Sequence, residues 1–145
     1  MSLEENKVII LRLIKALNEE DLDLLDDLIS PDFFDHILPV KGLEGFKQMG
    51  NAYVKAFPDV HRTVKDIIAE GDKVWIRLEI TGTHTGEFGG IAPTGKKITV
   101  PSLVIWRIVN CKIGERLQIN DNVDWYKKLG IIEFTEKGKK LFPED

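Results

Sequence analysis

Ile98-Thr99-Val100-Pro101-Ser102-Leu103-Val104-Ile105-Trp106-Arg107-Ile108-Val109, then Asn110-Cys111, then Lys112-Ile113-Gly114-Glu115-Arg116-Leu117-Gln118-Ile119-Asn120 reads as two long strands joined by a two-residue turn. Side chains alternate across a strand. Ile98, Val100, Val104, Trp106 and Ile108 therefore share one face, and Leu103, Ile105 and Val109 share the other with Arg107. A sheet covered on one side only is usually polar on the other, yet this strand is apolar on both faces at its centre. Either both faces are covered within the chain, or the outer face meets a second copy. Large exposed apolar patches are rare on monomers, so the expectation is a homodimer through the outer sheet face.

Working upstream, the period of two holds back to Val60. Val74, Ile76, Leu78 and Ile80 alternate with Trp75, Arg77 and Glu79, and Glu70-Gly71-Asp72-Lys73 reads as a hairpin turn after a strand over 60–69. A glycine-rich connection, residues 82–95, links these strands to the long pair. Before Pro58 the period is helical. Ser2 and Glu5 form a capping-box pattern ahead of Leu3, Ile10, Leu13, Ile14 and Leu17, a helix over 3–19. Asp21 opens a short second helix that Ser30-Pro31 should stop. Asp32 to His36 is strand-like. Gly42 precedes a third helix with Phe46, Met49, Tyr53 and Phe57 on one face. Downstream, residues 125–130 read as a helical turn ending at Gly130, and residues 131–145 as a peripheral tail with a basic cluster. Helices first and hairpin-linked strands after is an α+β order. The expectation is a single domain over 1–145: a curved antiparallel sheet with about three N-terminal helices on its concave face.

The chain has 145 residues, 43% hydrophobic and 30% charged, an ordinary globular mixture. Twenty Lys and Arg against 24 Asp and Glu give a net charge of −4, which argues against nucleic acid or an anionic membrane as partner. No apolar run is long enough to span a bilayer. One cysteine, Cys111, and an acidic N-terminal stretch fit a cytoplasmic protein without disulfides.

Several chemistries are poorly supported. Gly90 to Lys97 nearly spells a phosphate-binding loop. However, Lys97 stands where Ser or Thr should, Pro93 removes a backbone donor, and a strand follows rather than a helix. His36, His61 and His84 are widely spaced and no cysteine pair exists, so no metal site is expected. There is no nucleophile-elbow motif.

Asp121 is the candidate catalytic group. With a two-residue loop at Asn110-Cys111, Trp106 faces Glu115, Val104 faces Leu117, Ser102 faces Ile119 and Val100 faces Asp121. Asp121 would then be a carboxyl on a largely apolar face, and such a setting raises a carboxyl's pKa toward general acid–base work. The competing reading is that Asp121 caps the turn into residues 122–129. A bulged loop would flip the register and change which side Arg107 occupies.

Phe57-Pro58-Asp59-Val60-His61, Ile67-Ile68-Ala69-Glu70-Gly71-Asp72-Lys73-Val74, Gly82-Thr83-His84-Thr85-Gly86-Glu87-Phe88 and Pro93-Thr94-Gly95-Lys96, with Asp121 and Leu129-Gly130 after them, resemble the SnoaL-like polyketide cyclase family. The resemblance implies the cone-shaped α+β fold shared with ketosteroid isomerase and nuclear transport factor two, a pocket inside the cone, and a homodimer. It also implies cofactor-free acid–base chemistry on a hydrophobic carbonyl compound: aldol cyclisation, isomerisation or hydratase-like elimination. Asp121 would be the acid/base, with His36, Tyr53, His84, Trp106 and Glu115 lining or orienting the substrate. In characterised cyclases a histidine on a neighbouring strand pairs with the aspartate, whereas this chain has Trp106 and Arg107 there. Two other functions fit the same fold: a non-catalytic binder of hydrophobic small molecules, and a dimeric partner-binding protein.

Overall fold

The computed structural model describes residues 2–143. Its elements, in chain order, are α1 (Leu3–Asn18), α2 (Leu22–Leu28), β1 (Ile29–Asp35), α3 (Gly42–Ala56), β2 (His61–Glu70), β3 (Lys73–Thr83), β4 (Lys97–Val109), β5 (Lys112–Asn120), α4 (Val123–Lys128) and α5 (Glu136–Leu141). The five strands form one sheet in the order β1-β5-β4-β3-β2.

The helices start where the sequence supplies caps. The Ser2 hydroxyl accepts from the Glu5 N–H, and the Asp21 carboxylate accepts from the Leu24 N–H, each satisfying a donor that the first helical turn leaves open. The apolar stripes of α1, α2 and α3 close on the concave face of the sheet. There Ile10 and Leu13 pack with Phe33, Val74, Ile76 and Val104, all at most 1% exposed. Burying each of these side chains contributes about 1.5–3 kcal/mol. A second cluster lies toward the open end, where Phe57, Ile98, Val100, Trp125 and Leu129 join α4 to the sheet.

The long hairpin folds where expected, with a difference that reassigns its faces. Asn110 and Cys111 form the two-residue turn with φ of 50° and 64°, the left-handed geometry such turns need. Val109 pairs with Lys112 and Ile108 with Ile113, in the expected register. Arg107, however, pairs with Glu115 rather than with Gly114, so Gly114 is an extra residue, a β-bulge. A Cβ on Gly114 would lie 2.9 Å from a methyl of Val109, which favours glycine there. Beyond the bulge every partner moves by one. Trp106 pairs with Arg116, Val104 with Gln118 and Ser102 with Asn120. The expected facing of Trp106 with Glu115 and Val100 with Asp121 is thereby corrected. The loop has two residues as read; the slip occurs three residues later.

The sheet is not antiparallel throughout. β1 begins at Ile29, earlier than expected, and pairs with β5 in parallel. Pro31, read as a helix stop, lies inside this strand. It is tolerated because β1 is an edge strand, where a missing N–H costs no ladder bond, and the register shifts between Ile29 and Phe34. After the sheet, α4 and its C-terminal Gly130 follow, and α5 buries no residue.

The convex face of the sheet is apolar across four strands. Ile68 pairs with Trp75, Trp75 with Ile105 and Ile105 with Leu117, with Leu103 beside Ile119 in the adjoining row. Ile68, Trp75, Leu103 and Ile119 are 61%, 46%, 55% and 61% exposed.

Candidate functional site

The concave side encloses a cavity of about 200 Å³ between α1, α3 and the sheet, reaching α4. Ile14, Phe46, Phe57, Leu78, Val100 and Trp125 supply much of its apolar wall. Its polar groups include Tyr53 from α3, Arg62 from β2, Thr81 from β3, Arg116, Gln118 and Asn120 from β5, Asn122, and Tyr126 from α4. The three β5 residues face inward because of the Gly114 bulge, and their even-numbered spacing keeps them on one face.

Arg116 is deeply buried. Its Nε donates to the Asp35 carboxylate at 2.7 Å, and Nη2 lies 2.6 Å from the same oxygen, off the line a second hydrogen bond needs. The guanidinium sits among three rings, 5.7 Å from Phe33, 5.1 Å from Phe46 and 5.7 Å from Trp106. Asp35 is itself held by β1, and its other oxygen accepts from the Ile37 and Leu38 N–H groups at 2.8 and 2.7 Å. Burial pulls the Arg116 pKa down and Asp35 opposes it. A guanidinium is so strong a base that it stays charged.

Arg62 is placed from its backbone. Asn18, at the end of α1, accepts from the Arg62 N–H and donates to the Arg62 carbonyl, both at 2.9 Å. The Arg62 side chain then runs into the cavity, where burial first, and Arg116 second, lower its pKa. Its guanidinium has no ion-pair partner among the described residues. Tyr53 completes this end. Burial raises its phenol pKa, with the two arginines pulling weakly the other way, so at neutral pH it is an O–H donor. Gln118 is oriented by bonds to Ser102 and Asn120, both at 3.1 Å. Trp106 Nε1 is buried without a partner.

Of the residues singled out from sequence, Tyr53 and Trp106 line the cavity. The others lie elsewhere. His84 is fully buried outside the lining. Its Nδ1 accepts from the Thr94 N–H at 3.2 Å, and its backbone bonds Lys96 and Gly95, so it braces the glycine-rich connection. His36 and Glu115 do meet, at 3.0 Å, but on the outer surface, in a chain that continues through Arg107 to Asp72. Asp121 is exposed on the outer side of β5's end, and its carboxylate accepts from the Val123 N–H at 3.4 Å, the turn-capping geometry. Both of its neighbours, Asn120 and Asn122, line the cavity. Among the described residues no group of three or more His, Cys, Asp or Glu could hold a metal ion. No helix is long and apolar enough to cross a membrane.

Arg62, Arg116, Gln118 and Asn120 were missed in the sequence. For the three β5 residues the available signal was Gly114, a glycine inside a strand pattern, which marks a bulge and hence a change of face.

The chain is 25% identical over 139 residues to the aklanonic acid methyl ester cyclase DauD of Streptomyces sp. strain C5, covering 91% of this chain and 86% of that protein. Among solved structures it superposes on AclR from Streptomyces galilaeus, a candidate hydroxylase, with a TM-score of 0.82, 30% identity and coverage of 91% and 100%. On wild-type IdmH from Streptomyces antibioticus, a candidate polyketide cyclase, the TM-score is 0.76, with 34% identity and coverage of 86% and 98%. Residues 7–129, nearly the whole chain, match the sequence model of the SnoaL-like polyketide cyclases, and the protein belongs to that family.

Proposed function

We propose that this protein binds a hydrophobic carbonyl compound inside the cone and closes a ring in it by enolate chemistry, without a cofactor. The observation that carries this reading is an apolar cavity with a cationic, hydrogen-bond-donating end at Tyr53, Arg62 and Arg116. In an intramolecular aldol closure a proton leaves the carbon beside one carbonyl, the resulting enolate carbon attacks a second carbonyl, and the new alkoxide takes a proton. Negative charge develops on oxygen at both stages. Fixed cations and a neutral phenol in a water-poor site stabilise that charge, which is commonly the largest single contribution to such catalysis. Tyr53 is suited to donate the final proton because its phenol is held protonated. Among the described residues no carboxylate or imidazole lines the cavity. The proton acceptor in this scheme therefore comes from outside the lining: Asp121, between two lining residues, would have to leave its bond to the Val123 N–H and turn its carboxylate to the cavity mouth.

That same absence favours a second reading, a binding protein that holds its ligand without turning it over. Incubation with aklanonic acid methyl ester, the compound in the name of the relative, and in parallel with the free acid separates the two. Ring closure conserves mass, removes one ketone carbon signal and shifts chromatographic retention. The enzyme reading expects product, with Tyr53→Phe at least tenfold slower and Asp121→Asn slowed as well. Tight binding with no product favours the binding protein. A wild-type rate left unchanged by Tyr53→Phe removes the proposed donor. We also propose that the apolar convex face joins two copies of the chain, since burying Ile68, Trp75, Leu103 and Ile119 against themselves would remove this patch from water.

A further inference from the structure

We infer that the ligand carries a carboxylate on its apolar body and that Arg62 is the anchor for it. The inference rests on the reading of the cone as a small-molecule site and adds a charge to that molecule. Two guanidiniums face the cavity and one carboxylate answers them. Asp35 neutralises Arg116 through contacts at 2.7 and 2.6 Å and is itself saturated by two backbone donors. Arg62 has no such partner among the described residues. The acid that shares a cavity wall with it on its other side is Glu20. That residue lines a smaller neighbouring cavity of about 90 Å³ with Arg62 and Lys47, but it is exposed and makes no ion pair with Arg62.

The net charge at this end of an otherwise apolar cavity is therefore one positive. A half-buried cation without a counter-ion is costly, and a planar guanidinium matches a carboxylate with two parallel hydrogen bonds. Asn18 fixes the Arg62 backbone from both its N–H and its carbonyl, so the side chain starts from a set position on an edge strand. Tyr53, a neutral phenol close enough to sense both arginines, supplies a further donor to the same oxygens. A methyl ester at this position would offer only a weak acceptor and leave Arg62 unbalanced. This chain therefore differs in ligand charge from the methyl ester cyclase it resembles at 25% identity.

The test compares sodium 2-naphthoate, ionised at pH 7, with methyl 2-naphthoate, followed by quenching of Trp106 and Trp125 fluorescence and checked by calorimetry at low ionic strength. The expected result is at least tenfold tighter binding of the carboxylate to the wild type. In Arg62→Gln the two compounds should bind within about threefold of each other, whereas Arg62→Lys should keep a preference for the acid. Ester binding as tight as acid binding in the wild type overturns the inference and leaves the cavity reading standing. Acid preference unchanged in Arg62→Gln also overturns it. Failure of both compounds to bind overturns the inference and the cavity reading together. Should Arg62→Gln fail to fold, the wild-type comparison and the Arg62→Lys preference decide.

Discussion

Replacing Asp35 with Asn isolates one term in the stability of this fold. The Asp35 and Arg116 side chains are 1% and 6% exposed, so both charges have left water and each depends on the other. Asn keeps an acceptor oxygen for the Ile37 and Leu38 N–H groups, so the backbone of the β1 end stays satisfied. What is lost is the counter-charge, and removing one partner of a buried pair costs about 3–5 kcal/mol. The aromatic cage of Phe33, Phe46 and Trp106 returns only part of that, since cation–π contacts contribute about 0.5–2 kcal/mol each and are already present in the wild type. Domains of this size have stabilities of about 5–15 kcal/mol, so Asp35→Asn should remain folded at low temperature but unfold far more readily.

Urea titration, read by both tryptophan fluorescence and far-ultraviolet circular dichroism, gives the magnitude. Adding Arg116→Met to Asp35→Asn removes the orphaned charge and puts a flexible apolar side chain into the ring cage. The double variant should recover at least half of the loss. A loss under about 1 kcal/mol for Asp35→Asn with an unchanged denaturant slope, or a double variant no more stable than the single, would refute the assignment of Asp35 as the counter-ion on which Arg116 depends.

Gly114 gives a test of the register. Gly114→Ala brings a methyl to 2.9 Å from Val109, whose exposed side chain can yield, and should cost about 1–2 kcal/mol by calorimetry. Deleting Gly114 lets the ladder run regularly from the Ile108–Ile113 pair to the Arg107–Glu115 pair, so Arg116 and Gln118 should keep facing the cavity and unfolding should stay cooperative. A deletion variant that loses cooperative unfolding would refute the assignment of Gly114 as the extra residue. Asp59 accepts from the Thr83 hydroxyl and N–H, both at 2.7 Å, and these bonds hold its pKa below the ordinary carboxylate range. Stability from a depressed carboxyl is fully present above its unfolded pKa, about 3.9, and is lost as pH falls through the lower folded value. Melting temperature measured from pH 6 to pH 2 should therefore fall less steeply below pH 4 for Asp59→Asn than for the wild type; identical slopes would count against it. For the convex face, sedimentation should find a dimer for the wild type and a monomer for Leu103→Glu with unchanged circular dichroism. A monomeric wild type would remove the interface.

The alternation in 98–120 and the helical stripes before Pro58 were enough to read an α+β fold with its strands and helices nearly in place, because both periods are local properties of the chain. The caps at Ser2 and Asp21 and the turn at Asn110-Cys111 were legible for the same reason. Tyr53 and Trp106 were legible as inward residues because each belongs to an apolar stripe that must face the core. The parallel pairing of β1 with β5 was not legible, since it joins segments some eighty residues apart.

The site depended most on what the sequence could not settle. The bulge takes Gly114 out of the alternation and so turns Arg116, Gln118 and Asn120 toward the cavity and leaves Glu115 and Asp121 outside it, whereas regular pairing through Gly114 would exchange the faces. Local pattern allowed either outcome. Which arginine is answered by a carboxylate is likewise decided by the approach of β1 to β5 and of α1 to β2. Asp35 reaches Arg116, and Asn18 offers Arg62 an amide in place of a charge. The sequence by itself determined an α+β layering with an apolar interior, through short-range periodicity, and its resemblance to the SnoaL-like family implied the cone. The tertiary structure alone decided that this interior carries an unbalanced positive charge, because that balance is struck between residues brought together only by folding.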